Sequence, residues 1–440
     1  MLMNSLYLEQ MKDLLGDEFA QYLAVLDEPA RRGIRVNTLK TSAAGLFEVA
    51  DLQVEKSPFA DNGYYVKAES SLGRMNAYKA GLFYVQEPSA SSAVTILDPK
   101  PGMKVLDLCA APGSKSTQIG EKIGHDGFLC LNEYMKNRVQ PLVENIEQHG
   151  ISNAMILNND TREIARAFPE FFDAVLCDAP CSGEGMFRKE EEAIRQWSPE
   201  YVALCAQRQR EILDNAEKCL KPGGVLVYST CTLNQHENEE TVLHFLNTHD
   251  NMFMEDAGVS FGRKGLISDH QIDRAVRIFP MDGGEGHFIA KMRKKGTAVQ
   301  DRVRILSQSR IPPEADAFLK QMLVRQYPYY YVFRDRIYGG SAPFFEAKGC
   351  RLIRNQVYLG ELIKKRFEPS HQLFMSAYSG FRRTVELNDD EAVRYLHGEQ
   401  IEHHCDKGWY AVTWHHHALG GAKSDGTYLK NKYPKQLRLR

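Results

Sequence analysis

The 440-residue sequence has no apolar run of the roughly 18 residues that a membrane-spanning helix needs. Its first twenty residues are interrupted by Glu9, Lys12, Asp13, Asp17 and Glu18, so the continuous apolar core of an export signal is missing. The nine cysteines are odd in number and follow no regular spacing. That argues against a disulfide framework and for a reducing, cytoplasmic setting. The formal charge of −2 excludes a globally basic protein, so any nucleic-acid binding must rest on local patches. Neither G-x-G-x-x-G nor G-x-x-x-x-G-K-[ST] occurs, which weakens the dinucleotide and phosphate-loop readings. No internal repeat is present, and no low-complexity segment beyond His415–His417. Three adjacent histidines on a strand would alternate faces and could not converge on one metal.

What is present is an ordinary globular balance, 43 % hydrophobic and 25 % charged, in a length that suits about three domains. The N-terminus predicts a helix with Leu6, Met11, Leu14 and Leu15 on one face, extended by Phe19 and Leu23. RRGIRVNTLK, Arg31–Lys40, follows as a basic strand edge or a solvated strand. From Val105 apolar runs alternate with amphipathic helices. KVLDLC, GFLCLNEY, NAMILNND, FDAVLCD and VLVYSTCT read as strands, and PEYVALCAQRQREILDNAEKC as a long helix stopped by Pro-Gly-Gly. GHFIAKMRK reads as a last strand beside RIFP. This βαβ repetition predicts a parallel sheet covered on both faces. The regularity ends at Lys295, and Gly296–Phe318 reads as a linker.

Ligands of such sheets sit beyond the carboxyl ends of the strands, where small residues let the backbone approach. Cys109, Ala110, Ala111, Pro112, Gly113, Ser114 and Lys115 form such a loop after the first strand. Glu133 ends the second strand, where an acid reaches ribose hydroxyls. Asp160 ends the third, where it could accept from an adenine amino group, and Asp178 ends the fourth. Cys109, Cys130, Cys177, Cys205 and Cys219 fall inside strand or helix patterns and read as packing. Cys181 and Cys231 lie instead in loops at neighbouring strand ends, with Asp178 beside them. That pairing suits nucleophilic chemistry; zinc is disfavoured because no paired C-x-x-C accompanies them, and no metal is expected.

DLCAAPGSK, DAPCSGEG and VYSTCT, in that order and spacing, resemble the RNA 5-methylcytosine methyltransferases of the Nop/Sun type. GIRVNTLK, VQEPSA, GGEGHF and the tail GTYLKNKYPKQLR resemble the bacterial RsmF branch, which acts on small-subunit (16S) ribosomal RNA. The family loop usually reads A-P-G-G-K, and here Ser114 replaces the second glycine. The resemblance implies an α/β, Rossmann-like catalytic domain that uses S-adenosyl-L-methionine. A small N-terminal α+β domain would precede it, and a C-terminal RNA-binding region with a PUA-like β-barrel would follow. The expected ranges are 1–75, 76–295, a linker at 296–318, and 319–440. The resemblance also implies that Cys231 is the nucleophile and that Cys181 serves product release. The loop Cys109–Lys115, with Glu133, Asp160 and Asp178, would hold the cofactor.

Those residue types suit the chemistry. Cytosine C5 is a poor nucleophile until a thiolate adds to C6, and a free thiol must be activated to do so. Asp178, protonated or hydrogen-bonding, could meet the charge developing toward N3. Cys181 is a candidate base for the C5 proton. The target base must be single-stranded or flipped out. A monomer is expected, without membrane contact, acting on 16S rRNA either free or in the assembled subunit. Basic clusters at Arg31, Arg32 and Arg35, at Arg293–Lys295, at Lys364–Arg366, at Arg382 and Arg383, and in the tail to Arg440 suggest distributed phosphate contacts. Tyr327, Tyr329–Tyr331 and Phe333 could stack bases but suit a strand core better. A methyltransferase of tRNA or another RNA, a small-molecule methyltransferase and a non-catalytic ribosome-assembly factor remain as alternatives. The basic modules argue against the small-molecule enzyme, and the intact cysteine pair argues against the assembly factor.

Overall fold

In a computed structural model of the chain, residues 3–67, 72–297 and 300–439 are described. Met1 and Arg440, which figure in the sequence reading, lie outside them. The central sheet has ten strands. Its parallel part runs, in spatial order, Ala154–Leu157, Phe128–Asn132, Lys104–Asp107, Phe172–Asp178 and Leu220–Thr230. The chain thus starts in the middle, winds outward one way and then the other. The reversal lies between Lys104–Asp107 and Phe172–Asp178, and a crevice opens at their carboxyl ends.

Successive strand residues are apolar on both faces because both are covered. Leu106, Cys130, Met155 and Val175 join one core; Val105, Leu129, Ile156 and Leu176 join the other. The parallel sheet covered on both faces, read from the periodicity, is therefore present, as is the Rossmann-like arrangement that the resemblance implied. Val276–Ile278 and His287–Lys294 do pair as an antiparallel hairpin, and the latter strand closes against Leu220–Thr230. The long helix, Pro199–Cys219, ends before the Pro-Gly-Gly, which lies instead in an irregular start to the next strand.

Several expectations change. The N-terminal helix is broken at Gly16–Glu18 into Ser5–Leu15 and Phe19–Leu26. Its buried face is Tyr7, Met11 and Leu15, while Leu6 is half exposed. Gly33–Val36 is not a solvated edge. It lies inside a four-stranded antiparallel sheet, between Gly63–Val66 and Phe83–Val85. That fourth strand carries the N-terminal sheet past the boundary expected at residue 75. A helix at Pro313–Met322 likewise starts inside the expected linker.

The C-terminal region holds two further sheets. One is a meander of Tyr329–Phe333, Arg336–Gly340, Val357–Ile363 and Arg366–Pro369. The other is five-stranded, built around Gly408–Trp414 and His417–Ser424. His415 and His416 form the tight turn between those two strands, with φ of 46° and 63°, and do not alternate along a strand. The C-terminal half is not a loose appendage. Leu352–Asn355 adds an edge strand to the catalytic sheet beside Ala154–Leu157. The five-stranded sheet shares a core with the N-terminal sheet, in which Ile34 and Val36 join Val385, Tyr395 and Trp414.

Candidate active site

The first strand delivers Asp107 and the small-residue loop into the crevice. Asp107 is fully buried; one carboxylate oxygen accepts from Ser116 Oγ at 2.6 Å and the other has no partner among the described residues. Burial pushes its carboxyl up to about 7. Ala110 and Ala111 keep the loop thin, and Gly113 turns it with φ of 111° into the helix Ser114–Ile123. A Cβ on Gly113 would sit 3.2 Å from Leu142 Cδ1. Glu133, at the end of the second strand, accepts from Met135 N at 2.7 Å and Ala111 N at 3.3 Å. The expected loop and Glu133 thus face one space. Asp160 is engaged differently: it caps the helix Thr161–Ala167 and takes three hydrogen bonds from Arg162. Those bonds hold its carboxyl below the ordinary value.

Cys181 and Cys231 converge, with their Sγ atoms 3.3 Å apart. They meet because Phe172–Asp178 and Leu220–Thr230 are neighbouring parallel strands, with Asp178 in register with Ser229. Asp178 accepts from Ser229 Oγ at 2.8 Å and pairs with Lys115 Nζ at 2.9 Å. Burial works to strip Lys115 of its proton. Asp178 alongside opposes this and Cys231 adds to the same pull, so the ammonium is held above the ordinary lysine value. The Cys181 thiol is pushed well up by its hydrogen bond with Cys231 and by burial. Either sulfur can be the donor in that contact.

Polar residues just after each cysteine hold the two loops together, and the sequence reading passed over them. Glu237 accepts from Ser182 N at 3.0 Å, Gln209 Nε2 at 2.7 Å and Asn234 Nδ2 at 2.9 Å. Glu184 accepts from Leu233 N and Trp197 Nε1, both at 2.8 Å. Gly185 N donates to Cys231 O at 2.9 Å, and a Cβ there would stand 2.6 Å from Gly286 O. Their signal was available: SGEG and LNQHE each place acids a few residues beyond a loop cysteine.

His287 was also overlooked. Phe288 pairs with Thr230, the last pair of those two strands, so His287 and Cys231 each adjoin that pair at the same end of the sheet. Its Nδ1 lies 2.9 Å from Ser89 Oγ, and Ser89 Oγ lies 2.7 Å from Glu87 Oε2. Arg35 is buried too. It ion-pairs with Glu121 and donates to Thr117 Oγ1 at 2.6 Å and Ser114 O at 3.1 Å, gripping the helix that follows the loop.

The basic clusters separate into two kinds. Arg293 pairs with Glu255, Lys294 is buried against Glu217, and Arg382 and Arg383 bond within the fold. Those side chains are structural. Lys364, Lys365 and Arg366 are exposed at a hairpin tip. Among the aromatics, Tyr327 is buried against Ser376 while Phe333 is half exposed.

Comparison with known proteins agrees along the whole chain. The N-terminal domain of 16S rRNA methyltransferase RsmF matches residues 3–88, and 16S rRNA methyltransferase RsmB/F matches 94–293. The RsmF rRNA methyltransferase first C-terminal domain matches 317–376, and the methyltransferase RsmF PUA domain matches 382–439. Ribosomal RNA small subunit methyltransferase F of Escherichia coli O6:H1 is 33% identical over 98% of this chain and 95% of its own. The Vibrio vulnificus protein of that name is 32% identical over 98% and 96%. Among solved structures, a methyltransferase homolog from Pyrococcus horikoshii is 29% identical, with a TM-score of 0.59 over 66% of this chain and 95% of that one. NSun6 from Pyrococcus horikoshii with SFG, 24% identical over 66% and 98%, shares the fold with a TM-score of 0.58. The chain belongs to the RsmF family of 16S rRNA methyltransferases.

Proposed function

We propose that the protein methylates cytosine C5 in 16S rRNA through a covalent bond between Cys231 and C6. The observation that carries this reading is the 3.3 Å approach of the two thiols at neighbouring strand ends, with the Cys181 thiol pushed up by that contact and by burial. The Lys115 ammonium places a positive charge close enough to interact with Cys231.

The cofactor is S-adenosylmethionine, and the crevice suits it. The loop is lined by alanines and glycine, and the unpartnered Asp107 oxygen is an acceptor for an ammonium group. Cys109–Lys115, Asp107 and Glu133 would hold it, with Asp178 at the reacting end and Asp160 at the outer rim. When bound it supplies the electrophilic methyl group that C5 takes. Cys231 adds to C6 and makes C5 nucleophilic. Negative charge developing toward N3 is met by Lys115, which Asp178 and Ser229 position. Cys181 then donates its S–H to the departing Cys231 sulfur, which eases release.

The substrate is small-subunit rRNA, acted on in the cytoplasm by a monomer. The test is transfer of radiolabel from S-adenosylmethionine to 16S rRNA, as naked RNA and in assembled subunits, followed by nucleoside digestion. Label in 5-methylcytidine supports the reading. Label in another nucleoside, or in tRNA alone, overturns it.

A further inference from the structure

Once C5 carries the methyl group, its remaining proton must leave before Cys231 can depart. Cys181 is poorly suited to take it, because its contact with Cys231 and its burial push its thiol well up, so that it already carries a proton. Another acceptor stands on the neighbouring strand. Ser89 Oγ lies 2.8 and 2.7 Å from the two Glu87 oxygens, so its single proton is committed to that carboxylate. Ser89 therefore accepts from His287, and Nδ1 of His287 carries the hydrogen. Nε2 is left with a free lone pair and makes no bond to the described residues. Burial holds the imidazole neutral, with its pKa pushed down to about 4.

The ring is also well fixed. Glu285, two residues earlier, takes two hydrogen bonds from the Arg188 guanidinium at 2.7 and 2.8 Å, and both side chains are buried. Tyr65 Oη donates to Gly283 O at 2.9 Å. Ile289 pairs with Ser229, and His287, two residues earlier in the same strand, lies on that same face of the sheet, within reach of the Lys115 and Asp178 charges.

Resting on the cytosine-C5 reading above, we infer that His287 is the base that removes the C5 proton. Its Nε2 takes the proton, and the C5–H electron pair closes the C5–C6 double bond. The C6–S bond breaks, with its electrons leaving on the Cys231 sulfur. The imidazolium so formed keeps its Nδ1–H on Ser89, which leans on the Glu87 carboxylate, and later passes the added proton to water. Glu87 and Ser89 act as positioning residues that fix the tautomer.

The experiment uses full-length protein and 16S rRNA transcribed with cytidine tritiated at C5, and compares tritium release with methyl transfer in a single turnover. His287→Gln is expected to transfer methyl but to release tritium about 100-fold more slowly, the lower range for loss of a general base. It should accumulate a denaturant-resistant protein–RNA adduct. Added imidazole should restore release to His287→Ala but not to Cys181→Ala. Unchanged S-adenosylmethionine affinity by calorimetry certifies that the variants are folded. Release at the unaltered rate by His287→Gln, or failure of imidazole to rescue His287→Ala, overturns the inference. Absence of tritium release by the unaltered protein would instead overturn the C5 reading itself.

Discussion

Arg35 and Glu121 form an ion pair with both side chains almost wholly buried, 1% and 3% exposed. Arg35 belongs to the N-terminal sheet and Glu121 to the helix after the cofactor loop, so the pair fastens one domain to the catalytic crevice. Asn62 also donates to Glu121, at 2.9 Å. Removing one partner strands a charge in a dry setting. Arg35→Ala should lower stability by about 3–5 kcal/mol in denaturant unfolding, and the double variant with Glu121→Ala should lose less than the sum of the singles. Additive losses would mean that the pair is not coupled.

The two cysteines should fail differently. Cys231→Ala should give neither methylation nor adduct. Cys181→Ala should still attack and transfer methyl, then stall as a complex that survives denaturing electrophoresis. An adduct seen only in Cys231→Ala would reverse the assignment and support attack by the Pro180–Cys181 thiol.

Asp107 gives the unliganded protein a pH signature. Its carboxyl is raised from an ordinary 3.8 to about 7, chiefly by burial. The folded state therefore binds the proton more tightly than the unfolded chain. Its contribution to stability is complete below about 3.8 and lost as pH rises through about 7. Asp107→Asn should flatten the fall in unfolding free energy across that window. An unchanged slope would locate the pH dependence elsewhere.

Lys364 and Lys365 occupy a hairpin turn with φ of 47° and 61°, where glycine or asparagine would be less strained. Their exposed charges suit phosphate contacts. Lys364→Asn with Lys365→Gly should raise the apparent KM for RNA severalfold, with kcat unchanged, and reduce the salt dependence of binding by up to about two phosphate contacts. Unaltered RNA affinity at physiological salt would remove this tip from the interface.

The sequence alone determined the catalytic sheet and the meeting of the two thiols. Apolar runs such as Val105–Leu108 and Phe172–Cys177 suit strands buried on both faces, and the intervening helices make them parallel. Strand ends that carry Asp178, Cys181 and Cys231 then have to share one crevice. Tertiary structure decided the rest, because the deciding contacts are remote in sequence. Nothing near Arg35 announces Glu121, so a buried arginine reads as a solvated one. Leu352–Asn355 has no local mark of the edge it completes beside Ala154–Leu157. The first N-terminal helix ends at Gly16, whose φ is 53°, and its buried face of Tyr7, Met11 and Leu15 joins a core with the remote Phe187 and Trp197. His287 shares the face of Ser229 only because its strand runs antiparallel to Leu220–Thr230 in one register, and a shift of one residue would turn its ring to the other face.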